Sequence, residues 1–518
     1  MPIFYLKILK IINCKFKNVI KITFYKLKTL LILIRWYNKF KLNKSFFSGG
    51  KMSKLGLKKA VSLGLLVLLS VSAVTAAPKS KSKKGDPFKN LEKQKDPSTK
   101  KVYDFKGMNI ILGDWWSDPT KGPSSKKQED QKDFRDWVQK TYKVNIVQKA
   151  SAGWASQPQF VANYCMTGSA SDAEKYVFCI DGRSANVGIK AELFYDLSKI
   201  KSVNYQDASI YDQAVVQLLK KGDSFYAFNF GVSEPREGIF FNKRILEEAG
   251  YSADYPYDLQ KEHKWTWETF EEMCKKLTRD TDNDGVVDQY AMSSFYTCFT
   301  ANALDSNGGS KIGRDSNGKF FNNAGSDNSM EAFNWIARMY QTYQLPQSEG
   351  AAWDYFFTAF VNGETAFMCH QEYNAQPGGA LSGMQDDWGF VAFPLGPSGS
   401  GEYRTIHDTP MWVIPSCYDS ATIEKIAKAV ELYNLPVPGY DGPDAWKEDY
   451  YPGFRDARAV DETLTYMAAH PNPRYDVLIP GISQEDMCNS ICWGWRTPQE
   501  EYEATRNVWQ GLIDDCNR

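Results

Sequence analysis

Residues 239–256 read IFFNKRILEEAGYSADYP, and residues 264–292 read KWTWETFEEMCKKLTRDTDNDGVVDQYAM. The opening apolar run predicts a buried strand, followed at once by a short helix that ends at Gly250. Thr266 suits the N-cap of a second helix, because apolar residues recur after it at helical spacing. An acidic loop with a central glycine closes the stretch. The pattern therefore predicts strand, helix, helix and polar loop in that order.

A second region, residues 108–180, alternates apolar runs with helical periodicity. The pattern predicts strands over 108–112, 145–148 and 176–180, with helices over 128–142 and 157–166 between them. Strand–helix alternation of this kind predicts an α/β lobe with a mainly parallel sheet. Such sheets bind ligands in the crevice at the carboxyl ends of their strands. The polar and aromatic residues directly after the first and third strands are therefore placed for ligand contact.

The side chains at these two positions suit a sugar. Sugar rings present apolar C–H faces and a rim of hydroxyls, so their sites combine aromatic planes with carboxylates, amides or Arg. We expect ligand contacts from Asp114, Trp115, Trp116, Asp181, Arg183 and Asn186. Two alternatives stay open: adjacent Trp side chains point in different directions, so one can be core, and Ser184 can make its loop a helix cap.

The order of motifs along the chain resembles the family 1 extracellular solute-binding proteins of bacterial ABC transporters. The stretch quoted above matches one block of that family. Further blocks in the right order are ELFYDL at 192–197, KGDSFYAF at 221–228, AFVNGETAFM at 359–368, WGFVAFP at 388–394 and MWVIP at 411–415, the last followed by a helix at 425–433. One departure is the proline that the family carries after the second of these blocks, which is missing here.

The resemblance implies a fold and a function. It implies the two-lobe, type II clamshell of periplasmic binding proteins, an α/β fold with mainly parallel sheets flanked by helices. The lobes would be 102–233 plus 391–435 and 234–390 plus 436–518. A monomer of this kind would capture a sugar or oligosaccharide between its lobes and deliver it to the permease subunits of an ABC importer. It would be a binding protein with no catalytic residues.

The resemblance also implies further ligand contacts. Tyr373 falls where sugar-binding relatives stack an aromatic ring on sugar, and Trp412 falls where many relatives place another. His370 and Glu372 lie beside Tyr373, Asp408 lies near Trp412, and Glu234 and Arg236 lie at the presumed hinge between the lobes. Trp353 and Trp495 are further aromatic candidates. For Glu234 and Arg236 a structural ion pair is the alternative, and for Trp353 and Trp495 it is a place in the core.

The acidic loop after the second helix resembles a calcium loop. Asp280, Asp282, Asp284 and Asp288 stand at its positions 1, 3, 5 and 9 around a glycine, and Val286 contributes at position 7. Position 12 is Ala291 and not the bidentate Glu, which argues against an EF-hand. A structural calcium ion and a solvated acidic turn are both open, and no other cofactor is expected.

Residues 52–77 have the pattern of a secretory signal peptide. Three lysines precede an apolar core that is too short to favour a membrane span, and small residues allow cleavage after Ala76 or Ala77. No cysteine lies at the cleavage site, so we expect a soluble periplasmic or extracellular protein. Residues 1–51 then form an upstream extension from a mis-called start, with translation beginning at Met52. Residues 78–101 are polar and Lys-rich and predict a flexible tether.

Charge and cysteine content narrow the function further. The first 77 residues hold 15 Lys and Arg and no acidic residue, so the remaining chain has 47 basic and 62 acidic residues, a net charge of −15. Such a chain is a poor partner for nucleic acid. Nine cysteines remain after the leader, an odd number, and we expect mostly buried free thiols and no zinc site.

Two other classes of function compete with transport. Abundant aromatics and carboxylates also describe a glycan-active enzyme, which needs two carboxyl groups across the scissile bond. The sequence holds no carboxylate pair with a distinguishing context and no nucleophile-elbow or P-loop motif. A glycan-binding adhesin or chemoreceptor partner could share the binding fold.

Overall fold

The computed structural model describes residues 87–407, 410–483 and 485–518. Contacts between residues divide the chain into two units, with the boundary after Lys89. The described residues of the first unit, 87–89, form a turn. The second unit, Asn90–Arg518, contains the strands and helices given below. The predicted signal peptide and upstream extension lie outside the described residues. Within the described ranges, no helix is long and apolar enough to cross a membrane.

The strands are short and spread along the whole chain. They are β1 Met108–Asp114, β2 Val144–Ala150, β3 Glu174–Ile180, β4 Lys220–Lys221, β5 Ser224–Phe225, β6 Glu237–Asn242, β7 Ile312–Arg314, β8 Phe320–Asn322, β9 Phe367–Gln371, β10 Trp388–Val391, β11 Thr405–His407, β12 Met411–Val413 and β13 Pro471–Pro473.

Helices separate most of these strands. They are α1 Lys126–Tyr142, α2 Gln157–Thr167, α3 Gly182–Lys190, α4 Gln213–Leu218, α5 Lys243–Glu248, α6 Tyr255–Lys261, α7 Trp267–Leu277, α8 Tyr296–Ser306, α9 Asp327–Tyr343, α10 Tyr355–Val361, α11 Ser420–Asn434, α12 Thr465–Ala469, α13 Cys488–Cys492 and α14 Pro498–Asn517. Single 3₁₀ turns span Leu197–Lys199, Glu372–Ala375, Ala380–Gly383, Ala445–Asp449 and Asp476–Leu478, and a π-helical segment spans Ala459–Leu464.

The first sheet has the strand order β12-β3-β1-β2. β1 pairs in parallel with both β2 and β3, as the sequence predicted, and β12 joins the edge of β3 antiparallel after the chain has returned from the second sheet. The carboxyl ends of β1 and β3 therefore lie side by side. Asp114 and Ile180 end these strands, and the residues after them share one edge of the sheet.

The second sheet has the order β10-β6-β9, with β6 in the centre. Every residue of β6 is buried, and both of its neighbours run antiparallel to it. The expectation of mainly parallel sheets therefore holds for the first sheet and not for the second. A continuous apolar run shows that both faces of a strand are covered, but it does not encode the direction of its neighbours.

The stretch 239–292 forms the predicted strand, the helix before Gly250, the helix after Thr266 and the acidic loop, but the loop predicted around Pro256 is the helix α6, Tyr255–Lys261. Asn242 caps α5 by accepting from the Ile245 N–H, and Gly250 ends the helix with φ near 82°, a conformation that favours glycine. Thr266 caps α7 in a capping box with Thr269. The apolar face of α7 is buried, and Trp267 stacks on Trp335 of α9 with ring centroids 4.1 Å apart. This stretch therefore builds the core around the second sheet.

The structure also bears on two other predictions from the sequence, the tether and the state of the cysteines. The predicted tether is wrong in part for residues 90–101: Gln94 N–H donates to Tyr142 Oη at 2.9 Å and Lys95 bridges to Val102, so these positions are attached to the folded body. The cysteines from Cys165 to Cys516 are free thiols and most are buried, as expected.

Candidate functional site

A cavity of about 2930 Å³ opens between the two sheets. The residues after β1 and β3 line it from the first sheet, and the start of β6, the end of β9 and the loop before α10 line it from the second. Segments 434–450 and 474–495, from the C-terminal part of the chain, complete the wall. Its size exceeds the ~300–1,000 Å³ of sites for drug-sized ligands, so it has room for an extended solute.

Exposed aromatic rings converge on this cavity. Among the described residues, the large aromatic side chains that are more than a third exposed are Trp116, Trp154, Trp353, Tyr373, Trp495, Phe321 and Tyr451, and all but the last two line the cavity. Trp353 and Trp495 are each 70% exposed. Burying such rings against solvent is normally favourable. Their concentration on one concave surface indicates a binding site for a ligand with apolar faces.

Most of the predicted site residues lie on this cavity. The residues brought together are Trp115, Trp116, Asp181, Arg183, Glu234, Arg236, Trp353, His370, Glu372, Tyr373, Trp412 and Trp495. They come from both sheets and from the C-terminal region. Their contact with a ligand stays a prediction. Asp408 lies outside the described residues.

Two predicted contacts need correction. Asp114 is fully buried and closes the turn after β1, accepting from the Ser117 N–H at 2.8 Å and from Gln148 Nε2 at 2.9 Å. It positions the two tryptophans and does not itself line the cavity. Asn186 lies in the second turn of α3 and does not line the cavity; its Nδ2 donates to the Leu478 carbonyl in the C-terminal region.

The two tryptophans after β1 both reach the cavity. Trp116 is half exposed, Trp115 is more buried, and their rings meet edge to face at 4.9 Å and 82°. The alternation of side chains in an extended segment puts them in different orientations. Trp115 thereby supports Trp116, which presents the larger free surface.

Asp181 and Arg183 hold a further tryptophan that the sequence analysis did not single out. Asp181 caps α3 through the Arg183 N–H, in place of Ser184, and its Oδ2 accepts from Arg183 Nε at 2.8 Å. The Arg183 guanidinium lies 3.8 Å from the Trp154 ring centroid, and its Nη2 donates to the Trp154 carbonyl at 2.9 Å. One face of the indole is thus covered by a cation–π contact. The rest of the ring, half exposed, faces the cavity.

Charged groups gather where the chain enters and leaves the second sheet. Arg236 Nη1 pairs with Glu234 Oε2 at 3.0 Å. Burial, together with the charge of Arg236, lowers the pKa of His370 to about 3, so this imidazole is neutral. Its Nδ1 accepts from the Gln371 N–H at 2.8 Å. Burial and the charge of Glu234 raise the pKa of Glu372 well above its ordinary value.

Other cavity residues carried weaker signals or none in the sequence. Trp154 follows the predicted strand 145–148 in a polar loop, which is the same signal that marked Trp116. Tyr296, Trp446 and Tyr450 also line the cavity. They come from helical segments far along the chain, and no local pattern relates them to the first sheet.

The acidic loop lies apart from the cavity. Carboxylate oxygens of Asp280, Asp282 and Asp288 lie within 4.8 Å of one another, which suits the oxygen ligands of a hard cation. Asp280 also accepts from the Asn283 and Gly285 N–H groups, and these bonds, that of Gly285 first, lower its pKa. Asp284 turns back to the Val286 N–H and does not belong to this group. The structure therefore brings together three of the predicted ligands.

Two sheets with helices between their strands, and an aromatic-lined cavity between the sheets, define a solute-binding protein of the two-lobe class. Comparison with protein families gives the same answer: the family described as "Bacterial extracellular solute-binding protein" matches residues 118–430, more than half of the chain. The protein belongs to this family, as the sequence motifs predicted. A comparison with curated proteins returns no match.

Solved structures share the fold at low sequence identity. A cyclo/maltodextrin-binding protein complexed with maltotetraose is 14% identical, with a TM-score of 0.55 over 80% of this chain and 98% of that one. UgpB from Mycobacterium tuberculosis, in complex with glycerophosphocholine, is 15% identical (TM-score 0.54, 78% and 98%). The GacH receptor of Streptomyces glaucescens, solved with acarbose, is 13% identical (TM-score 0.53, 79% and 99%). These likenesses establish the two-lobe α/β fold.

Proposed function

We propose that this protein captures an uncharged oligosaccharide in the cavity between its sheets and delivers it to an ABC importer. The observation that carries the proposal is the set of exposed aromatic rings on one large cavity, since such rings stack on the C–H faces of sugars. Polar groups for hydroxyls stand beside them. Two cavity carboxylates, Asp181 and Glu234, are paired with Arg183 and Arg236, which favours a neutral ligand over a charged one.

The ligands of the structural neighbours support a sugar as the ligand, and one of them represents a competing class of ligand. Their ligands include maltotetraose and acarbose, whereas UgpB was solved with glycerophosphocholine. A thermal-shift screen should therefore test neutral oligosaccharides, charged sugars and glycerophosphocholine side by side. We expect neutral oligosaccharides alone to raise the melting temperature, with the best of them confirmed by calorimetry. Stabilisation by glycerophosphocholine and by no glycan would contradict the ligand assignment.

Transport and catalysis predict different outcomes for the bound sugar. A binding protein returns it intact, whereas a glycan-active enzyme releases products. Incubating a labelled oligosaccharide with the protein should therefore yield no cleavage, and stimulation of ATP hydrolysis by the cognate permease in liposomes should require the loaded protein. A glycan-binding adhesin or chemoreceptor partner would bind the sugar without that stimulation.

The lobe boundaries and the route of export are part of this proposal. We infer that 102–233 plus 391–435 close against 234–390 plus 436–518 around the ligand. The placement of β12 in the first sheet and of β9 and β10 in the second supports this division, except that Phe393, Leu395 and Tyr403 pack in the core around the second sheet, so the return to the first lobe falls after residue 403. Small-angle scattering should show a monomer that becomes more compact with ligand. N-terminal sequencing of the secreted protein should begin at Ala77 or Pro78.

We also propose that the acidic loop binds calcium as a structural ion. Saturating Ca²⁺ should raise the melting temperature, because an ion at one hundred times its Kd adds about 2.7 kcal/mol to stability. Asp282→Asn should abolish the shift, while Asp284→Asn, outside the carboxylate group, should retain most of it. An unchanged melting temperature after exhaustive chelation would count against bound calcium.

A further inference from the structure

Among the residues that the structure describes, Glu372 is the one carboxyl group of the cavity wall that is almost completely buried and keeps an oxygen without a partner. The residue is 2% exposed and lines the cavity. Its Oε2 has no hydrogen-bond partner among the described residues. A buried polar atom in this state costs stability unless a ligand or water completes it. The unpartnered oxygen therefore lies just beneath the cavity wall.

The backbone fixes where this carboxyl group lies. Glu372 follows β9 and begins the 3₁₀ turn Glu372–Ala375, and its own N–H donates to the Arg236 carbonyl at 2.7 Å. That bond extends the antiparallel pairing of β9 with β6, which matches Gln371 with Glu237. The backbone of Glu372 is thus fixed to the end of the second sheet. A site built on a rigid element keeps its geometry before ligand arrives.

The groups around Glu372 determine its charge. Glu234 and Arg236 face it from the segment before β6, Tyr450 faces it from the chain after Ala445–Asp449, and Tyr373 and His370 share its own segment. Arg236 pairs at 3.0 Å with Glu234. Burial comes first and the charge of Glu234 second in raising the pKa of Glu372. Together they outweigh the charge of Arg236 and the backbone N–H groups of Glu372 and Tyr373, which lower it.

We propose that Glu372 is kept as a neutral carboxylic acid and that its Oε2 hydroxyl donates a hydrogen bond to a hydroxyl oxygen of an uncharged ligand. The identity of the ligand in this inference rests on the proposed function, whereas the protonation state of Glu372 does not. A neutral acid removes one negative charge from the cavity and offers both a donor and an acceptor, as a pair of sugar hydroxyls requires. Glu372 thereby selects uncharged polyhydroxyl solutes.

The protonation state can be tested on the free protein. The infrared difference spectrum between wild type and Glu372→Gln, recorded near neutral pH, should contain the C=O stretch of a protonated carboxylic acid. Glu364→Gln, an exposed carboxylate outside the cavity, should show only the loss of an ionised carboxylate. Absence of the acid band in the first spectrum would overturn the proposal, whatever ligand the protein binds.

Hydrogen bonding to ligand is tested with maltotetraose, mannotriose and β-1,6-galactobiose as probes. The acid band should shift when a probe binds; Glu372→Gln should keep affinity within about threefold, and Glu372→Ala should lose about tenfold or more. An unshifted band with a bound probe would overturn the donor role. If none of the probes binds, the oligosaccharide assignment fails, and the free-protein spectrum still decides the protonation state.

The pH dependence has a definite sign. A raised pKa keeps Glu372 neutral below that value, so wild-type affinity should be constant there and fall by about tenfold per pH unit above it. The same shift contributes stability that is present below the ordinary pKa of Glu and lost as pH rises through the raised value. Glu372→Gln should be free of both losses. Parallel pH profiles for wild type and Glu372→Gln would contradict the proposal.

Discussion

Replacing Phe240 with alanine should lower the free energy of unfolding by about 3–5 kcal/mol. Phe240 is fully buried at the centre of β6, and its ring packs against Phe390 at 4.6 Å and Trp388 at 5.5 Å between centroids. Truncation leaves a cavity enclosed by aromatic rings and strands that cannot easily collapse into it. The loss is a large fraction of the ~5–15 kcal/mol that stabilises a typical domain.

Urea unfolding followed by tryptophan fluorescence and circular dichroism measures this loss. Phe321→Ala is the matched control, because Phe321 is 43% exposed and lies outside the cavity. We expect the control to cost under about 1 kcal/mol. Equal effects of the two substitutions would contradict the placement of β6 at the centre of the second sheet.

Replacing Trp154 with alanine should weaken ligand binding by about tenfold to hundredfold, or about 1.4–2.8 kcal/mol. The indole is half exposed on the cavity, and the Arg183 guanidinium covers one of its faces at 3.8 Å. Since Arg183 is itself held by Asp181, the ring is positioned before ligand binds and little rotamer entropy is lost on binding. The uncovered face is then available to stack on a sugar ring.

Calorimetry with the best ligand of the thermal-shift screen measures the effect, with Phe321→Ala again as an exposed aromatic control. Arg183→Lys keeps the positive charge and loses the planar stack, so it should cause a smaller loss than Trp154→Ala. Unchanged affinity in Trp154→Ala would show that the ligand does not reach the end of the cavity formed by β2 and α3.

The local elements of this chain were predictable from its sequence. Thr266 and Asn242 are helix caps recognised by residue type and spacing, and the helix over 267–277 follows from a 3.6-residue apolar period. The direction of the strands beside β6 was not predictable, because an apolar run records burial alone. The tether prediction failed in part for residues 90–101 for a similar reason: a polar composition does not show that backbone groups find partners in a folded body.

The candidate site was predictable in part. Residues directly after β1 and β3 could be placed on it, because the carboxyl ends of parallel strands meet at one edge. Asp114 was placed wrongly, since a polar residue at a strand end can either face a ligand or close the turn that presents its neighbours. Tyr450 and Trp446 could not be found, because hundreds of residues separate them from β1 and β3.

The sequence by itself determined the class of this protein. Its motifs lie in the order of the solute-binding family, and short-range periods and caps specify its strands and helices. Only the tertiary structure decided which aromatic rings share a cavity, that Arg183 supports Trp154, and that Glu372 is buried with a free oxygen. These properties depend on long-range contacts, since the burial of a carboxyl group is created by segments that meet only after folding.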